Sequence, residues 1–258
     1  MISFHNVDLS PKPGKSAWTA GHREWQEKFI YFLLAGVIKG QTPPGEFIKH
    51  YDALQRSVLS EGKYGELMVS SIDDHQRAGG EIKRWLSFNA CPKQVIAGMG
   101  FELCAMGTPG EGNSYEDWEA MFTPDEQSTN MLSQRSYIYR EITAIAALCG
   151  KEAALRHGTM HFRQTSAERR NFHFSDSPQG VLAFSRILSN EEILVVYNSA
   201  VADAKEEYVL VDPGINKDKQ QMRYIYGRKC GVEIQQSNGA SFVKLYLEPK
   251  QLVILKSN

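Results

Sequence analysis

The chain has 258 residues, 42% of them hydrophobic and 23% charged, with a formal net charge of -1. That length suffices for a sizeable core and one or two domains. The charge balance gives no reason to expect nucleic acid or an anionic membrane surface as a partner.

The opening stretch, MISFHNVDLSPKPGKSAWTAG, is polar and is broken by Pro11, Pro13 and Gly14, so it reads as neither a signal peptide nor a helix. The most apolar run, FIYFLLAGVI at residues 29 to 38, is far shorter than the about 20 residues that span a bilayer. It reads as a buried helix over Trp25 to Lys39, stopped by Gly40. PPGEFIKHYDALQRSVLSEG predicts the next helix, with Pro44 near its start, Gly62 past its end, and Phe47, Tyr51, Leu54 and Val58 on one face. Residues 65 to 73 alternate as a strand does, and the polar group Asp73, Asp74, His75 and Gln76 follows. Polar groups at a strand's carboxyl end are where α/β folds build sites, and also where any chain turns into solvent. A helix over Lys93 to Met106 is apolar nearly all round and predicts burial, residues 107 to 134 read as irregular, and the segment from Ser133 predicts a helix with Ile138, Ile142, Ile145 and Leu148 as its inner stripe.

Near Gly158 the helical spacing ends. GVLAFSRIL, EILVVYNSA, EEYVLVD, MRYIYG, SFVKLYLEP and QLVILK are short β-rich runs separated by turn material such as DSPQG, DPGINKDKQ and QSNGA. Regular short strands of this kind predict an antiparallel sandwich or barrel. The expected organisation is a largely helical region over residues 1–158 and an antiparallel β-domain over residues 159–258.

Other motifs are weaker. GTPGEGNS at 107 to 114 has the glycine spacing of a phosphate loop, but Asn113 stands where the lysine belongs. His157 and His161 are four apart, but Gly158 replaces the glutamate of a zinc helix and MHFRQ reads as a strand, so no metal or other cofactor is expected. Arg169 and Arg170 read as a solvated turn. Cys91, Cys104, Cys149 and Cys230 form no CxxC and read as free, buried thiols, which with the polar start suggests the cytoplasm.

The order of several segments carries more than pattern. EKFIYFLLAGVIKGQTPPGEFIKHYDAL, GELMVSSIDDHQ, QVIAGMGFELCAMGTPG, EAMF and IYREITAIAAL…ALRHGTMHFRQ are followed by VLAFSRIL…EILVVYNSA…YVLVD…FVKLYLEPKQLVIL. This series, from about Glu27 to the end, resembles the C-terminal part of the α-amylase superfamily, glycoside hydrolase family thirteen. The resemblance implies a mostly helical remnant of a (β/α)8 barrel followed by an antiparallel β-sandwich. It also implies that VSSIDDHQ matches the family's seventh-strand motif, which is like FLDNHD. His75 then falls on the histidine that contacts the sugar ring, Asp74 on the asparagine, and Gln76 on the final aspartate. An oxocarbenium-like transition state gains from a fixed negative charge nearby, and a glutamine amide supplies none.

No segment matches the family's carboxylate nucleophile and acid, which retaining enzymes hold about 5–5.5 Å apart. The run expected for the eighth strand is also missing, since TPG passes directly to EGNSYEDW. The resemblance therefore implies a truncated, internally deleted relative that contacts α-glucan through Asp74, His75 and Gln76 and lacks catalysis of its own. Two alternatives stay open: a non-enzymatic glucan-binding module, with Tyr197, Tyr224, Tyr226 and Tyr246 as stacking candidates, and a subunit that completes its barrel with another chain, such as a homo-oligomer.

Overall fold

A computed structural model describes residues 33–59, 77–78, 81–82, 91–105 and 137–257. Helix α1 covers residues 33–39, with Leu34, Val37 and Ile38 buried. It closes as predicted at Gly40, whose φ is +72°. The Gln41 amide donates to Gly36 O at 2.8 Å and the Gly40 amide to Val37 O at 2.9 Å, a Schellman termination that satisfies carbonyls the helix would otherwise strand. Helix α2 (Pro44–Leu59) begins on a proline, where the missing N–H costs nothing. Phe47 and Tyr51 face inward, while the side chains of Leu54 and Val58 lie outside the described residues.

Two short strands, β1 (Arg77–Ala78) and β2 (Glu81–Ile82), pair antiparallel. Helix α3 (Pro92–Ala105) is buried on nearly every side, as its composition predicts. Helix α4 (Tyr137–Lys151) buries Ile138 and Ile145 and half-buries Ile142 and Leu148, the predicted stripe. The short helix α5 (Ala153–His157) ends at Gly158, and the strands follow.

These are β3 (Thr159–Phe162), β4 (Thr165–Ser166), β5 (Val181–Leu188), β6 (Glu191–Asn198), β7 (Lys205–Val211), β8 (Gln221–Tyr226), β9 (Gly231–Ser237), β10 (Ala240–Leu247) and β11 (Leu252–Ser257). They form a nine-stranded sheet of order β3-β5-β6-β11-β8-β9-β10-β7-β4, antiparallel throughout. The two ends of that order are consecutive in the chain. The Arg163 amide donates to Ala183 O on β5 at 2.8 Å, and Gln164 O accepts from the Leu210 amide on β7 at 3.1 Å. One ribbon, 159–166, thus pairs with both β5 and β7 and curls the sheet on itself.

Curling yields two cores. Leu182, Phe184, Ile193, Val195, Tyr197, Leu252 and Ile254 face the helices. Val181, Ala183, Leu194, Val196, Val253 and Leu255 face the opposite half of the sheet, against Val209, Val243, Leu245 and Leu247. Strands β5, β6 and β11 are therefore the middle layer of three. Phe101 meets Phe184 edge-on at 5.2 Å, and Tyr51 meets Phe162 at 5.3 Å, so the helix layer is keyed to the sheet by tilted ring pairs.

The antiparallel β-domain is as expected, with β9 as a strand the β-rich runs did not announce. The mostly helical remnant of a (β/α)8 barrel is not what the described residues form. Their strand pairs are all antiparallel, and their helices make one layer that shares a core with the sheet rather than alternating with parallel strands.

Candidate functional site

Asp74, His75 and Gln76, the predicted sugar contacts, lie outside the described residues, as does the loop at 107 to 114. What is described begins at Arg77, where the chain enters the β1–β2 pair in the register Arg77↔Ile82. Among the described residues no three His, Cys, Asp or Glu side chains group as a metal site would. His157 closes α5 and His161 sits within β3, so the two do not share a helical face.

Among the described residues, three groups of polar side chains bear on a candidate site. The first is at the helix–sheet junction. Arg186 on β5 is buried among the ends of helices: its Nη1 donates to Ala105 O at 2.8 Å, and its Nε and Nη2 reach Ala154 O and Arg156 O at 3.5 Å. A cation is stabilised at a helix C-terminus, where carbonyls lack intrahelical donors. Close by, Cys104 Sγ and Cys149 Sγ are 3.8 Å apart, and the Cys149 thiol donates to Leu103 O at 3.4 Å. Their mutual hydrogen bond and burial push the Cys104 thiol well up, while the same bond, aided by the Arg186 charge, holds Cys149 below its ordinary value. Tyr226 donates to Glu141 Oε2 at 2.7 Å, and burial first, then that bond, raises its phenol far above the usual range.

The second group surrounds Glu192 on β6, which is fully buried. Its carboxylate accepts from Arg163 Nη2 at 2.7 Å, the Asp212 amide at 2.8 Å, the Ser185 hydroxyl and the Asn216 amide group. Every one of those donors belongs to the β-domain, so the cluster fastens strands and a loop together. In the third group Glu152 and Glu191 converge on Lys256 Nζ at 2.6 and 2.5 Å. The shared ammonium makes this a three-membered ion-pair cluster between α5's start and the sheet.

The tyrosines chosen as stacking candidates separate clearly. Tyr197 is buried and donates to Ile38 O at 2.9 Å, sharing that carbonyl with Gln94 Nε2 at 3.0 Å. Tyr224 is buried, and Tyr226 is tied to Glu141. Tyr246 is 48% exposed, with the Arg228 guanidinium 5.7 Å from its ring centre. Cys230 is exposed and Cys91 and Cys149 half-buried, so burial of all four thiols is corrected to burial of Cys104. The gap between α1, α3 and the sheet, lined by Leu34, Phe101, Phe184 and Tyr197, has a volume of about 10 Å³ and an apolar wall. It is a packing void, with room for one water at most. No described helix is long and apolar enough to cross a membrane.

No protein-family model and no curated protein matches the sequence. Solved structures do match the fold. A maltogenic α-amylase from Thermotoga neapolitana superposes with a TM-score of 0.60 at 16% identity, covering 88% of this chain and 49% of its own. The α-amylase from Geobacillus thermoleovorans, solved with acarbose, gives 0.59 at 14% identity, covering 88% and 46%. A cyclomaltodextrin glucanotransferase with a three-domain arrangement gives 0.58 at 17% identity, covering 86% and 43%.

The fold is that of α-amylase-type proteins. The chain spans less than half the length of each of these three proteins. The likeness supports a β-sheet domain in the C-terminal part of the chain, the part of the fold that the sequence announces most directly. None of the three polar groups could have been found from sequence motifs. Arg186 and Glu192 interrupt apolar strands, and that interruption is the one signal they leave.

Proposed function

We propose that the chain is part of an α-glucan-acting protein of α-amylase type, in which Asp74 and His75 contact the sugar and Gln76 replaces a transition-state carboxylate. One observation carries the reading: proteins named as amylases and glucanotransferases share the fold over 86–88% of this chain. The motif VSSIDDHQ, in its collinear position, supports the placement of the sugar contacts. No sequence segment resembles the motifs that carry the family's nucleophile and acid, so glycoside cleavage by this chain alone is not expected.

Calorimetry with maltoheptaose, paired with a turnover assay on maltooligosaccharides, tests both parts. Binding heat that disappears in Asp74→Ala and His75→Ala, with hydrolysis no faster than buffer, is the expected result. Absence of binding heat removes the glucan assignment. A trapped glycosyl–enzyme adduct overturns the assignment of lost catalysis.

A further inference from the structure

Cys104 and Cys149 sit on different helices, α3 and α4, yet their sulfurs are 3.8 Å apart. Cys104 is fully buried, whereas Cys149 is half-buried and so open to a small solute. The Cys149 thiol is aimed at the end of α3 by its hydrogen bond to Leu103 O, and Arg186 places a cation at the same end through Ala105 O. A guarded sulfur beside an accessible one, next to a positive charge, is the arrangement of an attacking and a resolving thiol.

We propose that this pair is a peroxide-reactive dithiol that closes to an intramolecular disulfide, tying α3 to α4. The Cys149 thiolate attacks hydrogen peroxide: an S–O bond forms, the O–O bond breaks, and the departing hydroxide takes a proton to become water. The Cys104 sulfur then attacks the Cys149 sulfenic acid: the S–S bond forms, the S–O bond breaks, and the oxygen leaves as a second water carrying the Cys104 proton. The two sulfurs together lose two electrons, and the peroxide gains them. The lowered Cys149 and raised Cys104 thiols match these roles, since the attacking sulfur must be ionised first and the resolving one must not compete.

The test uses the full chain with Cys91→Ser and Cys230→Ser, which leaves the pair as the reactive thiols, alongside the unaltered chain. After peroxide, both thiols are expected to vanish together. Non-reducing peptide mapping should join the Cys104 and Cys149 peptides within one molecule, and dithiothreitol should reverse it. The clamp should raise Tm by roughly 5–10 °C, as closure of a long loop does. In Cys104→Ser a dimedone adduct should accumulate on Cys149. If that variant does not fold, the mapping on the chain that keeps both cysteines decides. The proposal is overturned if both thiols survive peroxide that oxidises Cys230 in the unaltered chain, or if the cross-links join separate molecules.

Discussion

Arg163 Nη2 lies 2.7 Å from Glu192 Oε1, and the Glu192 side chain is entirely withdrawn from solvent. Three further donors share that carboxylate. Removing it strands a guanidinium, an amide group and a backbone N–H at once. Glu192→Ala should therefore cost about 3–5 kcal/mol, the range for breaking a buried pair from one side. Urea unfolding measures it, and a loss below about 1 kcal/mol would contradict the buried network.

Arg186→Met keeps much of the side-chain volume but withdraws the donors that serve Ala105 O, Ala154 O and Arg156 O. The expected loss is about 1–3 kcal/mol from carbonyls left unsatisfied. The same variant should make Cys149 react more slowly with peroxide at neutral pH, because a nearby cation is gone.

Burial raises the Glu207 carboxyl above its ordinary 4.5, with Lys205 and His173 opposing the shift only in part. A group raised in the folded state contributes stability that is complete below the unfolded value and declines as pH climbs through the folded one. Ionised Glu207 thus burdens the fold at neutral pH. Glu207→Gln should raise Tm at pH 7, and the gain should vanish near pH 4, where the native carboxyl is protonated. An equal gain at both values would show that the charge is not responsible.

Two glycines should respond with opposite signs. Gly40 has φ of +72°, and a Cβ there would stand 2.7 Å from Ser199 O, so Gly40→Ala should cost about 1–3 kcal/mol. Gly150 lies within α4 with nothing inside 4 Å of an added Cβ, so Gly150→Ala should gain about 0.4–1 kcal/mol. Chemical denaturation of both variants checks the contrast.

The strands easiest to read in the sequence are the ones enclosed on both sides. VLAF, ILVV and LVIL show no alternation because β5, β6 and β11 have helices on one face and sheet on the other. Strand β9 was missed because it is short of apolar residues: in GVEIQQS only Ile234 is buried. Helix limits were legible where chemistry marks them, at Gly40 and Pro44. The clusters around Arg186 and Glu192 were not, because each partner comes from a distant segment and pairing depends on the folded sheet. Asp74, His75 and Gln76 rest on the motif itself, since they lie outside the described residues.

The eight residues from Thr159 to Ser166 bond to β5 along one half and to β7 along the other. A single cut at Arg163 would therefore release two rims of unpaired backbone together, one on each side of the seam. Trypsin nicking at that bond should lag far behind nicking at exposed arginines in the native protein. Once it occurs, self-association by strand addition should follow quickly, because the molecule would lose both seals in the same event.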